Sequence, residues 1–209
     1  MRTLLHISCS PRLTDSHSRA AGAAFRDAIA TRIPTLAVTR RDLGADPVPH
    51  PDAAFARANV KQDADRTQAD HDAQRLSESL IAELEAADAV LIDSPMNNFT
   101  VPSTLKAWID LVVRPRRTFG YTPEGAKRGL LADRPVFLLI ACGGIFVGSP
   151  VAQTDFFEPY LRYTLGCIGL ADIRAHKLER VTRGPAEAAR AHEQARAWID
   201  TQVASLATS

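Results

Sequence analysis

The chain has 209 residues, of which 45% are hydrophobic and 23% are charged, and its formal net charge is +1. This balance is typical of one globular domain over residues 1–209 and argues against disorder. A nearly neutral chain gives no electrostatic reason to expect nucleic acid. No apolar run approaches the ~20 residues that a membrane span needs.

The first half of the chain alternates predicted strands and helices. An apolar strand at residues 1–7 precedes a helix at residues 18–33, whose apolar residues recur at spacings of three and four. Ser16 or Ser18 is the expected N-cap of this helix. A second strand at residues 36–40 enters a proline-rich loop at residues 40–53, and the next helix runs from about residue 67 to residue 88.

The second half continues the same alternation. A nearly all-apolar third strand at residues 89–93 is followed by a helix at residues 102–113 and a polar, turn-rich excursion at residues 114–129. The fourth strand and its exit occupy residues 134–144. A helix at residues 155–168, a fifth strand at residues 172–178 and a closing helix at residues 185–207 complete the chain.

Five strands that alternate with helices predict a doubly wound α/β fold, with a parallel sheet covered on both faces. In such folds a ligand binds beyond the carboxyl ends of the strands, where the strand order reverses. The loops that follow strands one, three and four are therefore the predicted binding segments.

The loop after the first strand reads "SCSPRLTDSHS" and contains no glycine. A helix N-terminus attracts anions, and hydroxyl side chains add further donors. Glycines are needed where the backbone must approach a bridging pyrophosphate, so their absence favours a single terminal phosphate and a mononucleotide. The alternative, that Ser16 and Ser18 only cap the helix, stays open from this stretch alone.

The loops after the third and fourth strands suit a flat ring with polar edges. In "SPMNNF", Met96 and Phe99 offer an apolar wall and the asparagines offer amides. In "ACGGIF", Gly143 and Gly144 allow backbone N–H groups to approach a ligand closely.

The segments "SCSPRLTDSHS", "SPMNNFTVPSTLKAWID" and "ACGGI", in this order and spacing, resemble the FMN-dependent NAD(P)H azoreductases. These are flavodoxin-like quinone and azo-dye reductases. "DLGADPVP" and "TFGYT" are also similar to loops of that family, so the likeness covers almost the whole chain. The resemblance implies a flavodoxin-like sheet of order 2-1-3-4-5, a homodimer, FMN at each dimer edge, and NADH or NADPH as co-substrate.

The resemblance also implies roles for particular residues. Those that would hold the FMN phosphate are Ser10, Ser16, His17 and Ser18. Those that would border the isoalloxazine are Met96, Asn97, Asn98 and Phe99. Those that would supply N–H groups to its pyrimidine side are Ala141, Cys142, Gly143 and Gly144. No catalytic side chain is expected, because the flavin carries the chemistry.

The residues expected to contact the substrate include two departures from the family's pattern. Phe119 and Tyr121 are expected to stack over an aromatic substrate. The family commonly has Tyr in place of Asn97, and often an aromatic residue in place of Cys167, in a helix that lines the partner's pocket. These two departures leave flavin binding intact, because backbone groups provide most of it, and bear on the range of substrates.

The resulting hypothesis is an enzyme that reduces quinones and aromatic azo compounds by two-electron ping-pong hydride transfer. The alternative is a flavodoxin-like FMN electron carrier, or another flavin-binding module, without its own small-molecule acceptor. Arg114, Arg116 and Arg117 are candidates to attract the phosphates of NADPH or an anionic dye. His6 and Asp93 are expected to be structural.

Cysteine usage and the N-terminus bear on location and metals. The three cysteines, Cys9, Cys142 and Cys167, are odd in number and far apart, which favours neither a disulfide framework nor a zinc site. The apolar stretch at residues 4–7 is shorter than the roughly 7–15 residues of a signal-peptide core. A cytoplasmic protein without a bound metal is expected.

Overall fold

The structure is a computed structural model that describes residues 1–148 and 152–206. The elements of this part of the chain, in order, are β1 (Thr3–Ser8), α1 (His17–Arg32), β2 (Ala37–Asp42), α2 (Ala53–Val60), α3 (Gln68–Ala86), β3 (Ala89–Pro95), α4 (Ser103–Val112), β4 (Phe119–Tyr121), β5 (Lys127–Gly129), β6 (Val136–Ala141), α5 (Glu158–Ile168), β7 (Ile173–Leu178) and α6 (Pro185–Ser205). A 3₁₀ turn at Asp63–Asp65 joins α2 to α3.

Five parallel strands form the central sheet in the order β2-β1-β3-β6-β7. Since β6 and β7 are the fourth and fifth strands of this sheet along the chain, the predicted order 2-1-3-4-5 is confirmed. The strand order reverses between β1 and β3, so the carboxyl ends of these two strands flank the expected ligand crevice.

Alternating side chains of the sheet divide the core into two layers. Leu4, Leu91 and Phe137 pack with Phe25 of α1 and Ile199 of α6. The intervening residues face the other way, into a layer that includes residues of α3, α4 and α5, among them Leu5, Ile92, Leu138, Leu80, Trp108 and Leu161. The three interior strands β1, β3 and β6 are almost wholly buried, as their apolar composition predicts. No helix in the described ranges is long and apolar enough to cross a bilayer.

Two segments differ from the sequence-based prediction. The prediction placed no helix between the proline-rich loop and residue 67, whereas α2 begins at Ala53 with Asp52 as its N-cap. This helix has eight residues and buries only Phe55 and Ala58, which is too short a stripe for periodicity to reveal. The polar excursion contains the two-stranded hairpin β4-β5, whose strands have three residues each.

Local side-chain bonds set the first residues of two helices. Ser16, not Ser18, is the N-cap of α1. The Asp155 carboxylate accepts the N–H groups of Phe157 and Glu158 at 2.8 and 3.1 Å, so α5 starts at Glu158 and not at Asp155. The predicted end of α6 at Ala207 lies outside the described residues.

Candidate functional site

The loops that follow β1, β3 and β6 meet at one edge of the sheet. Ser8 pairs in register with Asp93, and Pro95 pairs with Ala141. Just beyond the strands, the Cys9 N–H donates to the Asp93 carbonyl at 2.9 Å, and the Met96 N–H donates to the Ala141 carbonyl at 2.8 Å. The three segments predicted to bind a ligand are thus adjacent.

One end of this edge is an open depression of about 600 Å³ at the start of α1. Its lining residues are Arg12, Leu13, Asp15, Ser16, His17, Arg19 and Ala20. The Ser16 hydroxyl accepts the Arg19 N–H at 3.4 Å and lies 3.3 Å from the Ser18 hydroxyl. Ser18 is buried beneath it, and Ser10 is buried with its hydroxyl accepting the Arg12 N–H at 3.2 Å. Hydroxyls and helix N–H groups therefore converge where an anion would bind.

Arg19 holds the serine loop in place, a role that the sequence analysis missed. Its guanidinium donates to the Ser10 carbonyl at 3.0 and 2.6 Å and to both oxygens of Asp42 at 2.7 and 2.6 Å. The hydrogen bond from Arg19 holds the pKa of Asp42 below its usual range. A cation in the first turn of a helix is unfavourable unless it is paired, so the position of Arg19 was an available sign of a partner elsewhere.

His17 makes a contact that the sequence did not indicate. Its Nδ1 lies 3.0 Å from Nε2 of His192 on α6, and the two rings are 5.3 Å apart at a tilt of 41°. Burial, followed by the neighbouring His17 and Arg196, lowers the pKa of His192. The depression is therefore bordered by His17, which is itself hydrogen-bonded to His192 of α6 behind it.

The loop after β3 is a tight turn with an unusual backbone. Asn97 and Thr100 exchange two backbone hydrogen bonds of 3.0 Å, and the central residues Asn98 and Phe99 have φ values of +47° and +72°. This is the geometry of a two-residue turn of the primed type, which Asn tolerates and Phe does not favour. The strained Phe99 is 48% exposed, and its carbonyl accepts the Phe156 N–H at 3.1 Å. Strain of this kind concentrates at binding sites.

A cavity of about 200 Å³ joins the loops after β3 and β6. Its lining residues are Met96, Asn98, Phe99, Cys142, Gly143, Gly144, Phe146 and Gln153. Six of the eight are residues predicted to border the ring, so the structure brings this part of the predicted site together. Phe146 and Gln153 are additions: the Gln153 side chain lies against the α-carbon of Gly144, where a β-carbon would collide with it.

The backbone of the glycine loop corrects one expectation. The Cys142 N–H donates to the Leu178 carbonyl at 2.9 Å, because β6 continues its pairing with β7, so this N–H is engaged within the fold. The described residues provide no acceptor for the N–H groups of Gly143 and Gly144. Glu179 stabilises the next turn by accepting the N–H groups of Phe146 and Val147 at 2.5 and 2.9 Å.

The residues expected to contact substrate lie apart from this cavity. Phe119 is only 7% exposed and packs edge-on against Tyr121, with ring centroids 5.8 Å apart, so its ring face is not free to stack. Tyr121 is 64% exposed on the hairpin, and Cys167 is half-buried on α5. Within one chain, neither Tyr121 nor Cys167 lines the cavity beside Met96.

The arginines of the excursion are engaged internally, which contradicts their predicted role as free phosphate or dye ligands. Arg114 is fully buried and donates to Ser77 at 3.0 Å and to Glu78 at 2.5 Å. Arg117 binds Glu78 and both oxygens of Glu85. Arg116 donates to the backbone carbonyls of Asn59 and Lys61. Local sequence could not show these partners, which lie 32 to 57 residues away.

A buried polar cluster supports the sheet beneath α1. The Asp93 carboxylate accepts hydrogen bonds from His6 at 2.6 Å and Ser8 at 2.7 Å, and its side chain packs against Gly22 of α1. All three polar residues are at most 4% exposed, which agrees with the structural role expected of His6 and Asp93. No group of three metal-ligating side chains occurs within residues 1–148 and 152–206.

Known proteins share this architecture. A family model described as the flavodoxin-like fold matches residues 2–203. The azoreductase of Bacillus anthracis strain Sterne superimposes with a TM-score of 0.86 and 24% identity, over 97% of this chain and 99% of that one. An FMN-dependent NADH-azoreductase from Bacillus anthracis strain Ames Ancestor, solved in complex with FMN, gives a TM-score of 0.84, also at 24% identity. These two structures show a common fold.

Sequence relatives are closer than these structures. "FMN-dependent NADH:quinone oxidoreductase 2" of Cupriavidus pinatubonensis is 52% identical over 198 residues, which cover 95% of this chain and 96% of that protein. "FMN-dependent NADH:quinone oxidoreductase 4" of Pseudomonas fluorescens is 42% identical over 97% of this chain and 96% of its own length. The chain therefore belongs to the flavodoxin-like fold family and, within it, to the family of the FMN-dependent NADH:quinone oxidoreductases.

Proposed function

We propose that this chain binds FMN at the carboxyl edge of its sheet and uses NADH to reduce quinones and aromatic azo compounds. The observation that carries the proposal is the relative at 52% identity over nearly the full length, which is named an FMN-dependent NADH:quinone oxidoreductase. Azo compounds are included because the similar solved structures are named azoreductases.

The depression at the start of α1 fits the phosphate of FMN. A helix N-terminus carries partial positive charge, and here the hydroxyls of Ser16 and Ser18 lie 3.3 Å apart at that end. Arg12 lines the same depression and supplies a cation, whereas Arg19 is paired with Asp42 and holds the loop. A single phosphate needs this density of donors and no glycine-rich backbone.

The cavity between Met96 and Gly144 fits one edge of the isoalloxazine. The N–H groups of Gly143 and Gly144 have no acceptor among the described residues and so are open to the polar pyrimidine side. Met96 and the exposed Phe99 provide apolar contact for the ring system. The strained backbone of Phe99 is retained because the turn must hold this contact in place.

FMN, when bound, supplies hydride acceptance and two-electron reduction, so no nucleophilic side chain or metal ion is required. The chain binds and orients the reactants around it. The N–H groups of Gly143 and Gly144 place partial positive charge beside the ring, which favours negative charge that develops there. Burial raises the pKa of the Cys142 thiol to about 12, so this neighbour stays neutral and adds no opposing charge.

NADH and the acceptor share one binding space in turn under this proposal. A ping-pong sequence of this kind gives parallel double-reciprocal plots when the NADH concentration is varied at several quinone concentrations. NADH is the proposed co-substrate, because the relatives at 52% and 42% identity are named NADH:quinone oxidoreductases.

The active form is proposed to be a homodimer. The exposed large apolar side chains include Phe99, Tyr121, Leu130, Phe156 and Tyr163, with 42–68% of each accessible in the single chain. Apolar groups in such number are typical of a protein interface. Tyr121 and Cys167, which lie apart from the cavity of their own chain, then contact the substrate space of the partner. Gel filtration that shows a flavin-loaded monomer would contradict this.

The first experiment is the visible absorption spectrum of the purified protein with FMN, followed by NADH under nitrogen and then a quinone. We expect a bound-flavin spectrum that bleaches with NADH and returns with the quinone. Bleaching without return unless a protein acceptor is added would favour the electron-carrier alternative. A cytoplasmic site of action is proposed as well, since NADH is available there and all three cysteines are free thiols.

A further inference from the structure

The hydrogen bond between His17 and His192 links the phosphate end of the site to the closing helix. His17 is the first residue of α1 and lines the depression, whereas His192 lies on α6 and does not line it. The 3.0 Å contact uses Nδ1 of His17, and no described residue bonds to its Nε2. The free nitrogen of His17 is therefore available to a ligand.

The surroundings of the pair are sparse in negative charge. One turn away from His192 on α6 are Ala188, Ala189, Ala195 and the cationic Arg196, and the one carboxylate next to it in sequence is Glu193. On the side of α1, the charged groups in the depression are Arg12, Asp15 and Arg19, and Arg19 is neutralised by Asp42. Burial, His17 and Arg196 all lower the pKa of His192, which favours a neutral His192 while the depression holds no anion.

We propose that His192 is a positioning residue for the cofactor phosphate: it accepts a hydrogen bond from Nδ1 of His17, so that the pair takes up one proton when FMN binds. His17 then directs its Nε2–H to the phosphate. This inference rests on the proposed function, because it concerns the same FMN site. It assigns a role to a residue of α6, far in sequence from the serine loop.

Proton uptake follows from electrostatics. A phosphate dianion beside His17 stabilises the imidazolium form, and the neutral His192 supplies the acceptor that this form needs on its other nitrogen. The proton comes from solvent, and no covalent bond changes. Free FMN at pH 7 is about one-tenth monoprotonated if its second phosphate pKa is about 6, so binding of the dianion alone releases protons. Net uptake therefore has the opposite sign from simple phosphate binding.

The test is calorimetric titration of the apoprotein with FMN at pH 7.0–8.5, in two buffers of different ionisation enthalpy. We expect uptake of about half a proton per FMN near pH 7, and an affinity that falls roughly three- to tenfold between pH 7.0 and 8.5. Riboflavin, which lacks the phosphate, reports proton uptake that comes from the isoalloxazine end of the site. We expect its binding to show neither proton uptake nor a fall in affinity between pH 7.0 and 8.5.

Variants separate positioning from packing. His192→Phe keeps a ring but removes the acceptor, and it is expected to lose most of the proton uptake and the affinity slope. His192→Gln retains an acceptor oxygen and should retain both. His17→Gln should abolish both. His71→Gln, on α3 away from the site, is the matched control and should behave as the wild type. Thermal unfolding of the apoproteins checks that each variant folds.

Wild-type uptake that survives unchanged in His192→Phe would overturn the inference, as would an equal pH dependence with riboflavin. FMN binding without proton uptake would overturn it too, while leaving the proposed function intact. A wild-type protein that binds no FMN at any pH would overturn both.

Discussion

The Arg19 guanidinium donates two hydrogen bonds, at 3.0 and 2.6 Å, to the carbonyl oxygen of Ser10. These bonds connect the start of α1 to the loop that follows β1. Arg19→Lys removes the planar fork that makes these bonds and the bidentate pair with Asp42. We expect FMN affinity to fall by about tenfold, measured by fluorescence quenching of FMN. Arg41→Lys on β2, which alters a similar ion pair with Glu83 of α3, is the control and should leave the affinity unchanged.

The pH range over which the Arg19–Asp42 ion pair stabilises the folded protein follows from the pKa of Asp42. The hydrogen bond from Arg19 lowers the pKa of the carboxyl in the folded protein, so its stabilisation is present above the unfolded-state value of about 3.9. It is lost as the pH falls through the lowered folded value. We expect constant loop stability from pH 5 to 8, with loss confined to strongly acidic solution. Thermal melting of the apoprotein and of Arg19→Lys across this range measures the difference, and a difference that shrinks between pH 6 and 5 would contradict the assignment.

The Ser16 and Ser18 hydroxyls are expected to bind phosphate as well as to stabilise the helix. Ser16→Ala with Ser18→Ala should lower the unfolding free energy by about 1 kcal/mol through loss of the cap and weaken FMN binding at least tenfold. Thr67→Ala removes an equivalent cap from α3, where Thr67 and Asp70 form a capping box. This control should cost similar stability without any change in FMN affinity. If the double variant and the control have equal FMN affinity, the two serines stabilise the helix N-terminus and do not bind the phosphate.

Gly144 is expected to be required for its lack of a side chain. A β-carbon there would collide with the Gln153 side chain, which lines the same cavity. Gly144→Ala should therefore weaken FMN binding by about tenfold, or about 1.4 kcal/mol, with little change in melting temperature. Gly166→Ala on α5, where a β-carbon meets nothing within 4 Å, is the matched control. It should leave FMN affinity unchanged and raise helix stability by about 0.5–1 kcal/mol.

Arg114 is expected to contribute to stability and not to cofactor or dye recognition. It is buried and bonded to Ser77 and Glu78, so Arg114→Ala should lower the unfolding free energy by about 3 kcal/mol, because it leaves a buried space unfilled and removes the donor to the Ser77 hydroxyl, while Glu78 keeps Arg117. Urea unfolding measures this loss. The ratio of kcat/KM for NADPH to that for NADH, and for an anionic azo dye to a neutral one, should stay within twofold of the wild type. A selective loss of kcat/KM for NADPH or the anionic dye would instead support the predicted role of Arg114 in binding anionic substrates.

Much of the fold follows from local pattern. The strands β1, β3 and β6 are continuous apolar runs, and the stripes of α1 and α3 recur at helical spacing, so sequence alone indicates a parallel sheet with covered faces. Because parallel strands align their carboxyl ends, the positions of "SHS", "MNNF" and "CGG" after those strands also indicate where a ligand binds. Short elements such as α2 and β4 have too few residues to show a helical or strand-like spacing of apolar side chains.

What only the tertiary structure decided are the partners of polar side chains across long sequence distances. The sequence presents Arg114 as a free cation, whereas the structure pairs it with Glu78. The sequence presents His17 as a single histidine, whereas the structure places His192 of α6 at 3.0 Å from it. The engagement of the Cys142 N–H by Leu178 likewise depends on how far β6 and β7 continue to pair. Periodicity indicates which face of an element is buried, because the spacing of apolar residues is a property of one segment. Hydrogen bonds and ion pairs require two segments to meet, and this chain's packing determines which ones do.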